Sequence, residues 1–341
     1  MISIEIPDRL NGSTFYGEIL PSIYENIIKG DYEIDFDMHR TELANPEGLV
    51  NLMAAASMIR SKSEYIPRLY LPESPNLHDF MRKIGFFKWA TVPNCEALRF
   101  NYCYDDIFND ELGRPSNYFR PHFFGLFIHT KEGTSFNKHI NNIINLTNEI
   151  AASFSDKVDV SILNQYRRLL TLSLIQVVKN SLEHNSGHIG TLAYYMIQKT
   201  PYNTIEFAFS DIGQGFLERM KSMLKEKDEE AIKKYGYLEQ KLKNRELLFK
   251  EHENNPNLLA IINAVKYRED SEIPGLDKIK KFVLKYNGRF SIHSGNYTVI
   301  YEKSKKEGIG DKRMQMFHNN SYFSGCHLKI VINLPESING Q

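Results

Sequence analysis

The sequence predicts an α/β protein of two domains, and three observations carry that expectation. Residues 1–92 alternate short apolar strands with helices, the signature of an α/β unit. Residues 165–210 run a long amphipathic helix into two strands, the second ending in an Asp-x-Gly-x-Gly turn. The length, 341 residues with 42% hydrophobic content, is ample for two packed cores.

In chain order, Ile2–Ile6 reads as a strand and Phe15–Ile28 as a helix closed by Gly30. Tyr32–Asp37 is a strand, Glu47–Arg60 a helix, Arg68–Leu71 a strand, and Leu77–Ile84 a helix stopped by Gly85. Residues 93–117, with Asp105, Asp106, Asn109, Asp110, Gly113 and Pro115, read as a connector. His122–Thr130 is expected to be the first strand of the second domain, and Phe136–Phe154 an amphipathic helix. His139 on that helix, followed by Ile140, reads as a lone surface residue rather than a phosphoacceptor.

Residues 165–184 carry Leu170, Leu174, Val177, Val178 and Leu182 at a helical period. Gln176, Asn180 and His184, spaced by four, make a polar row beside that stripe. Taken alone, the row reads as a solvated face. The segments that follow change its weight. Residues 188–198 and 204–210 read as strands, with Ile205, Phe207 and Phe209 alternating with Glu206, Ala208 and Ser210. The second runs into Asp211, and Gly213 and Gly215 permit a sharp turn. Residues 217–254 are dense in mixed charge and read as a solvated helical segment. Gly275 and Leu276 open a helix reaching about Tyr286. Arg289–Ser294 and Tyr297–Glu302 read as strands, Lys303–Asn320 as a charged excursion, and Phe323–Pro335, containing Gly325 and Cys326, as a closing strand.

The order of these segments resembles the GHKL superfamily, which holds histidine kinases, anti-sigma kinases, ninety-kilodalton heat-shock chaperones, type II topoisomerases and mismatch-repair ATPases. Gln176 to Gly187 is similar to its N box, Asp211 to Gly215 to its first glycine box, Pro274 to Ile279 to its second, and Phe323 to Pro335 to its closing strand. The resemblance spans roughly Tyr118 to Pro335 and implies a Bergerat-type α/β sandwich that binds ATP and Mg²⁺. It implies that Asn180 offers its amide oxygen to Mg²⁺ and that Asp211 accepts from the adenine amino group. Gly213, Gly215, Gly275, Leu276 and Gly325 would border the nucleotide, and His184 would line the phosphate region. A lid is expected over about 217–272. The sequence departs from the pattern twice. Only Gly275 remains of the second box, and Gln176 stands where the ATPase branches carry a glutamate base. A neutral amide cannot accept a proton at pH 7, so hydrolysis is expected to be weak or absent. Cys326 holds a position where the family has threonine.

A second resemblance covers residues 1–92. Ile34 to Asp37, then Asn45-Pro46-Glu47-Gly48-Leu49, is similar to the STAS domain of anti-sigma-factor antagonists. Asn45-Pro46 replaces the Asp and the phosphorylated Ser, so no phosphorylation is expected there. Nearby Thr41 reads as a plain loop residue.

The expected organisation is therefore a STAS-like interaction domain (1–92), a connector (93–117) and a histidine kinase-like ATP-binding domain (118–337). Charge is balanced, 42 basic against 42 acidic residues, which disfavours nucleic acid as a partner. No run is long enough to span a membrane, and the N-terminus lacks a signal pattern. Cys95, Cys103 and Cys326 show no metal spacing and read as reduced thiols of a cytoplasmic protein. The partners expected are ATP and a second protein, with a homodimer as the candidate assembly. The function expected is a bacterial-type Mg-ATP-dependent regulatory switch. The alternatives are a protein kinase or slow ATPase acting with a partner, and an ATP-dependent clamp effector on nucleic acid or in phage response.

Overall fold

The computed structural model describes residues 1–92, 96–101, 121–127, 134–153, 159–184, 192–199, 204–225, 255–266, 276–303 and 312–333. Within these the protein is mixed α/β. The N-terminal part holds a parallel sheet of β1 (Ile2–Glu5), β3 (Ile34–Asp37), β5 (Arg68–Tyr70) and β6 (Arg99–Phe100), in that order across the sheet. β6 lies inside the stretch read as connector and joins the sheet beside β5. β2 (Arg9–Leu10) and β4 (Leu43–Ala44) form a separate two-residue parallel pair.

Strand order follows chain order, so right-handed crossovers place every connecting helix on one face. These are α1 (Gly12–Thr14), a π-helical turn (Phe15–Ile19), α2 (Leu20–Lys29), α3 (Pro46–Ser63), α4 (Pro75–Ile84) and α5 (Phe86–Ala90). Asn11 caps the first of them through its side chain, and Gly30, at φ +83°, ends α2. On the other face Ser3, Glu5 and Arg68 are exposed, while Asp35 is covered by Tyr65, whose hydroxyl donates to Asp35 Oδ1 at 2.7 Å.

α3 is the centre of the molecule. Asn45 caps it by accepting from Gly48 N at 2.8 Å, and Pro46 takes the first turn, where a missing N–H costs nothing. Residues 46–59 are buried on every side of the helix except at the half-buried Glu47, with Ala54, Ala55 and Ala56 fully covered. An all-round apolar helix must have a partner on each side. One partner is the parallel sheet; the other is a second, five-stranded sheet. Each fully buried Leu, Ile or Met on α3 stabilises the assembly by about 1.5–3 kcal/mol.

That second sheet has the order β10-β11-β9-β8-β7: β7 (His122–Phe127), β8 (Leu192–Lys199), β9 (Thr204–Asp211), β10 (Arg289–Lys303) and β11 (Lys312–Asn333), all antiparallel. It is apolar on both faces. Tyr195, Ile197, Ile205, Phe207 and Phe209 join the core beneath α6 (Thr134–Ala152), α7 (Val160–His184), α9 (Pro256–Lys266) and α10 (Leu276–Lys285). Tyr194, Met196, Ala208, Phe123 and Phe323 join the core of the N-terminal part. Four layers result: parallel sheet, helices, antiparallel sheet, helices.

Three expectations are corrected. The charged excursion 303–320 is strand from Lys312 onward, because β11 pairs with β10 along Lys303–Tyr297 as a two-stranded ribbon. β10 is one strand, not two, with a bulge around Gly295. His139 is buried, 4% exposed, beside the Tyr195 hydroxyl at 3.4 Å, because its face of α6 is the one turned to the sheet. Thr41 lies in a loop as expected; it is fully buried there and donates to Ile6 O at 3.3 Å.

Because the core that holds α3 also takes in Tyr194, Met196, Ala208 and Phe323 of the antiparallel sheet, unfolding should be a single event. Trp89, the sole tryptophan, packs across this boundary on Gly125 and Phe124. Its fluorescence and far-UV circular dichroism should give coincident urea transitions. Two separated midpoints would show independent domains.

Candidate functional site

The turn after β9 is braced by polar groups from three strands. Strand alternation puts Asp211 on the same face as Phe207 and Phe209, towards the layer of α7. Asp211 is 5% exposed. Its Oδ1 accepts from Gly213 N at 3.0 Å and from Cys326 N at 3.1 Å. Ser324 Oγ donates to Gly213 O at 2.8 Å. Ser294 Oγ donates to Gly325 O at 2.8 Å and accepts from Phe216 N at 3.3 Å. Three strands that are distant in sequence thus clasp one short turn, which opens α8 (Gly215–Lys225).

Two of the expected glycines are explained by this clasp. Gly325 has φ +99°, and a Cβ there would lie 1.9 Å from Asp211 O. Gly215 has φ +71°, and its Cβ would meet Ser294 Oγ at 2.8 Å and Gly325 O at 2.9 Å. Both are required by the approach of the protein's own backbone. Gly213 is buried in the same turn.

α7 carries the other expected residues. Gln176 is 4% exposed, flanked by the buried Leu174, Val177 and Val178. It lies in the helix–sheet layer rather than on a wet edge. Asn180 and His184 fall on the last turns of α7, and their side chains lie outside the described part of the structure. Gly275 and the interior of the expected lid, 226–254 and 267–272, also lie outside the described residues. The two described ends of the segment expected as a lid are helical, α8 and α9, and they pack together through Leu217, Met220 and Ala260. Leu276 starts α10 and is buried, a core anchor for that helix. Among the described residues no group of three His, Cys, Asp or Glu side chains is placed to hold a metal ion. No described helix is long and apolar enough to cross a membrane.

The far side of the same strands holds residues that sequence reasoning passed over. His293, His327 and Ser210 stand in one cross-strand row, joined by Tyr194 on β8. The His293 ring stacks on Tyr16 at 4.3 Å, and His327 on Phe323 at 3.8 Å. One strand step further, Lys329 Nζ lies 2.9 Å from both Glu47 Oε2 and Glu206 Oε1, a bridge between α3 and the antiparallel sheet. A cavity of about 10 Å³, bordered by Tyr16, Glu47, Ser291, His293 and Lys329, has room for roughly one water. The signal was present in the sequence: Ser291, His293, His327 and Lys329 alternate with apolar residues. Such alternation normally marks a solvent face.

Burial sets the electrostatics here. It pushes His293 down to about 3, against a weaker opposing bond to Gly295 O. Burial also holds His327 well below its ordinary range, helped by His293. For Lys329 burial disfavours the charge, but Glu47 and Glu206 outweigh it and raise the ammonium above its usual value. Burial, with the Asp211 carboxylate, holds the Cys326 thiol well above the ordinary range. The thiol is therefore protonated at neutral pH and is no ready nucleophile.

No family model matches the chain, and no curated protein matches it.

The buried imidazoles give an acid-sensitive fold. His293 is neutral when folded and has an ordinary value near 6.5 when unfolded. Its contribution is therefore complete above pH 6.5 and is lost as pH falls towards 3. By pH 5 the loss is about 2 kcal/mol from this residue alone. Urea midpoints measured from pH 7.5 to 5 should fall, and His293→Gln should flatten the acid limb. Parallel limbs in the two proteins would count against His293.

Proposed function

We propose that this chain is a Mg-ATP-binding regulatory protein of bacterial type and cytoplasmic setting. Bound nucleotide sets its conformation or its affinity for a second protein, with weak or no hydrolysis. One observation carries the reading: Asp211, a carboxylate almost fully buried at a strand end, is oriented by two backbone N–H groups towards the layer of the long helix α7. Leaving an anion so buried is costly unless it is bonded in the folded state. A buried, oriented carboxylate is suited to read an exocyclic amino group such as that of adenine. The order of boxes, with Asn180 on the last turns of α7, supports the metal role expected of its amide oxygen. Mg²⁺, held through Asn180, would offset the charge of the phosphates. The chain's own tasks would be to orient the base through Asp211, to hold the turn through Ser294, Ser324 and Gly325, and to cover the nucleotide with 217–272.

Gln176 supports weak turnover. It is neutral and sits among apolar residues, so it neither takes a proton from water nor has bulk solvent beside it. The same feature favours a second reading, a protein kinase of the GHKL type, since there the attacking group comes from a separate substrate. The N-terminal domain would act in cis as the STAS-like interaction module, consistent with its seat against the antiparallel sheet. Balanced charge leaves the nucleic-acid clamp the least supported alternative.

Asp211→Asn should weaken ATP binding by about 1–3 kcal/mol, roughly 5- to 150-fold, by calorimetry with Mg²⁺. Unchanged affinity would remove Asp211 from the site. In the native protein phosphate release should stay near background, and Gln176→Glu should raise it, by up to roughly 10²-fold if only the base is missing. Brisk native turnover, unaffected by Gln176→Ala, would place the base elsewhere.

A further inference from the structure

We infer that His327 is a positioning residue for the nucleotide site, acting from the opposite face of the sheet, and that the N-terminal domain holds it in place. The inference rests on the nucleotide reading of Asp211.

His327 is 2% exposed and lies on the face away from α7, so it cannot touch a ligand at Asp211. Its ring nevertheless fixes both halves of the clasp. Nε2 lies 3.0 Å from Ser324 O. A carbonyl only accepts, so Nε2 carries the proton. The neutral ring then offers Nδ1 as an acceptor, and the Ser210 hydroxyl donates to it. One imidazole therefore ties the residue before Asp211 to the turn that supplies Gly325 and the Cys326 N–H. Ser324 is shared: its carbonyl receives His327, and its hydroxyl reaches Gly213 O.

The imidazole is in turn held from the N-terminal part. Phe323 stacks on it at 3.8 Å and 3°, and Phe15 packs on Phe323 at 5.3 Å. Its cross-strand neighbour His293 stacks on Tyr16. Phe15 and Tyr16 open the π-helical turn, an arrangement that often marks functional positions because it re-aims side chains at the expense of regular bonding. Asn51 of α3 donates to the Tyr16 hydroxyl at 3.1 Å, and Ser57 of α3 bonds Tyr194 at 2.9 Å, at the other end of the row. The docked domain thus grips the cross-strand row next to the one that contains Asp211 and Cys326.

The test uses the full chain, a non-hydrolysable ATP analogue with Mg²⁺, and amide exchange at Cys326 and Gly213, which needs no nucleotide. His327→Ala should weaken analogue binding about tenfold and speed exchange at both amides. Amides in mid-strand β8, such as Met196, should keep their protection. His327→Gln, which retains a donor and an acceptor, should recover part of both losses. Tyr16→Ala should reproduce them from outside the sheet. If the native protein binds the analogue, and His327→Ala leaves affinity and both amides unchanged, the inference is overturned. If the native protein binds no nucleotide yet His327→Ala releases the two amides and His327→Gln restores them, the nucleotide reading fails and the positioning role stands. Should His327→Ala not fold, Ser210→Ala removes a single hydroxyl: faster exchange at Cys326 supports the inference, and unchanged exchange sinks it.

Discussion

Everything in this molecule depends on α3 having no wet side. A helix covered by alanines on its flanks and by Leu49, Leu52, Met53 and Ile59 elsewhere cannot be stable against one sheet alone. It needs the parallel sheet on one side and the antiparallel sheet on the other. The antiparallel sheet has the matching need. Tyr194, Met196 and Ala208 would be a bare apolar patch without the N-terminal helices over them. The two halves are therefore joined by a shared core rather than by a tether, and α3 acts as a structural member of both.

Apolar burial alone would let α3 slide. Register comes from the polar groups set into the same boundary. Glu47 in the first turn of α3 meets Lys329, which also meets Glu206. Displacing α3 by one turn would take the half-buried Glu47 carboxylate away from Lys329, which would keep only Glu206, and breaking such a pair is destabilising. Gly12 and Gly48 sharpen the fit. A Cβ on Gly12 would overlap the Glu47 carboxylate, and one on Gly48 would lie 2.5 Å from Leu10 O. The neutral histidines contribute in another way: both ring nitrogens of His293 and His327 find partners, so burial leaves no imidazole group unbonded. The boundary is specific because its polar members fit in one arrangement.

The sequence made the elements legible and their faces only half so. Periodicity located α3, α7, β9 and the part of β11 from Phe323 onward within a few residues, because apolar spacing records one buried side directly. It did not say what covers the second side. Ser291 and His293 on β10, or His327 and Lys329 on β11, have the pattern of a solvated face and in fact meet another domain. His139 misled in the same way: a polar residue on a helix was assigned to water, and tertiary packing buried it. The Lys303–Asn320 stretch read as a charged excursion because its charges hide a two-stranded ribbon, whose apolar face, Val299 and Tyr301 with Met314 and Met316, joins the core beneath the helices. At the candidate site, Asp211 and Gly215 stood out through the Asp-x-Gly-x-Gly spacing at the end of a strand, and Gly325 through the resemblance of the closing strand. Ser294 and Ser324, which hold the turn, could not stand out, since serine is common and its role here is set by contacts across about 80 and 110 residues of chain.

A strand has two faces and one backbone, and that fact ties the candidate site to the domain boundary. Asp211 and Ser210 are neighbours, as are Cys326 and His327, yet each pair divides between opposite layers. A displacement of the Gly325 turn by a ligand beside Asp211 moves the Cys326 peptide. It therefore moves the root of His327, whose ring is wedged between Ser210, Ser324 and Phe323. Close-packed interiors do not absorb such a shift gradually. The strain passes to the Phe15–Tyr16 turn, the one part of that helical run with non-α hydrogen bonding and so the part best able to take up a change in pitch. Under the nucleotide reading, occupancy on one face of the antiparallel sheet would be expressed on the other as the grip of the N-terminal helices.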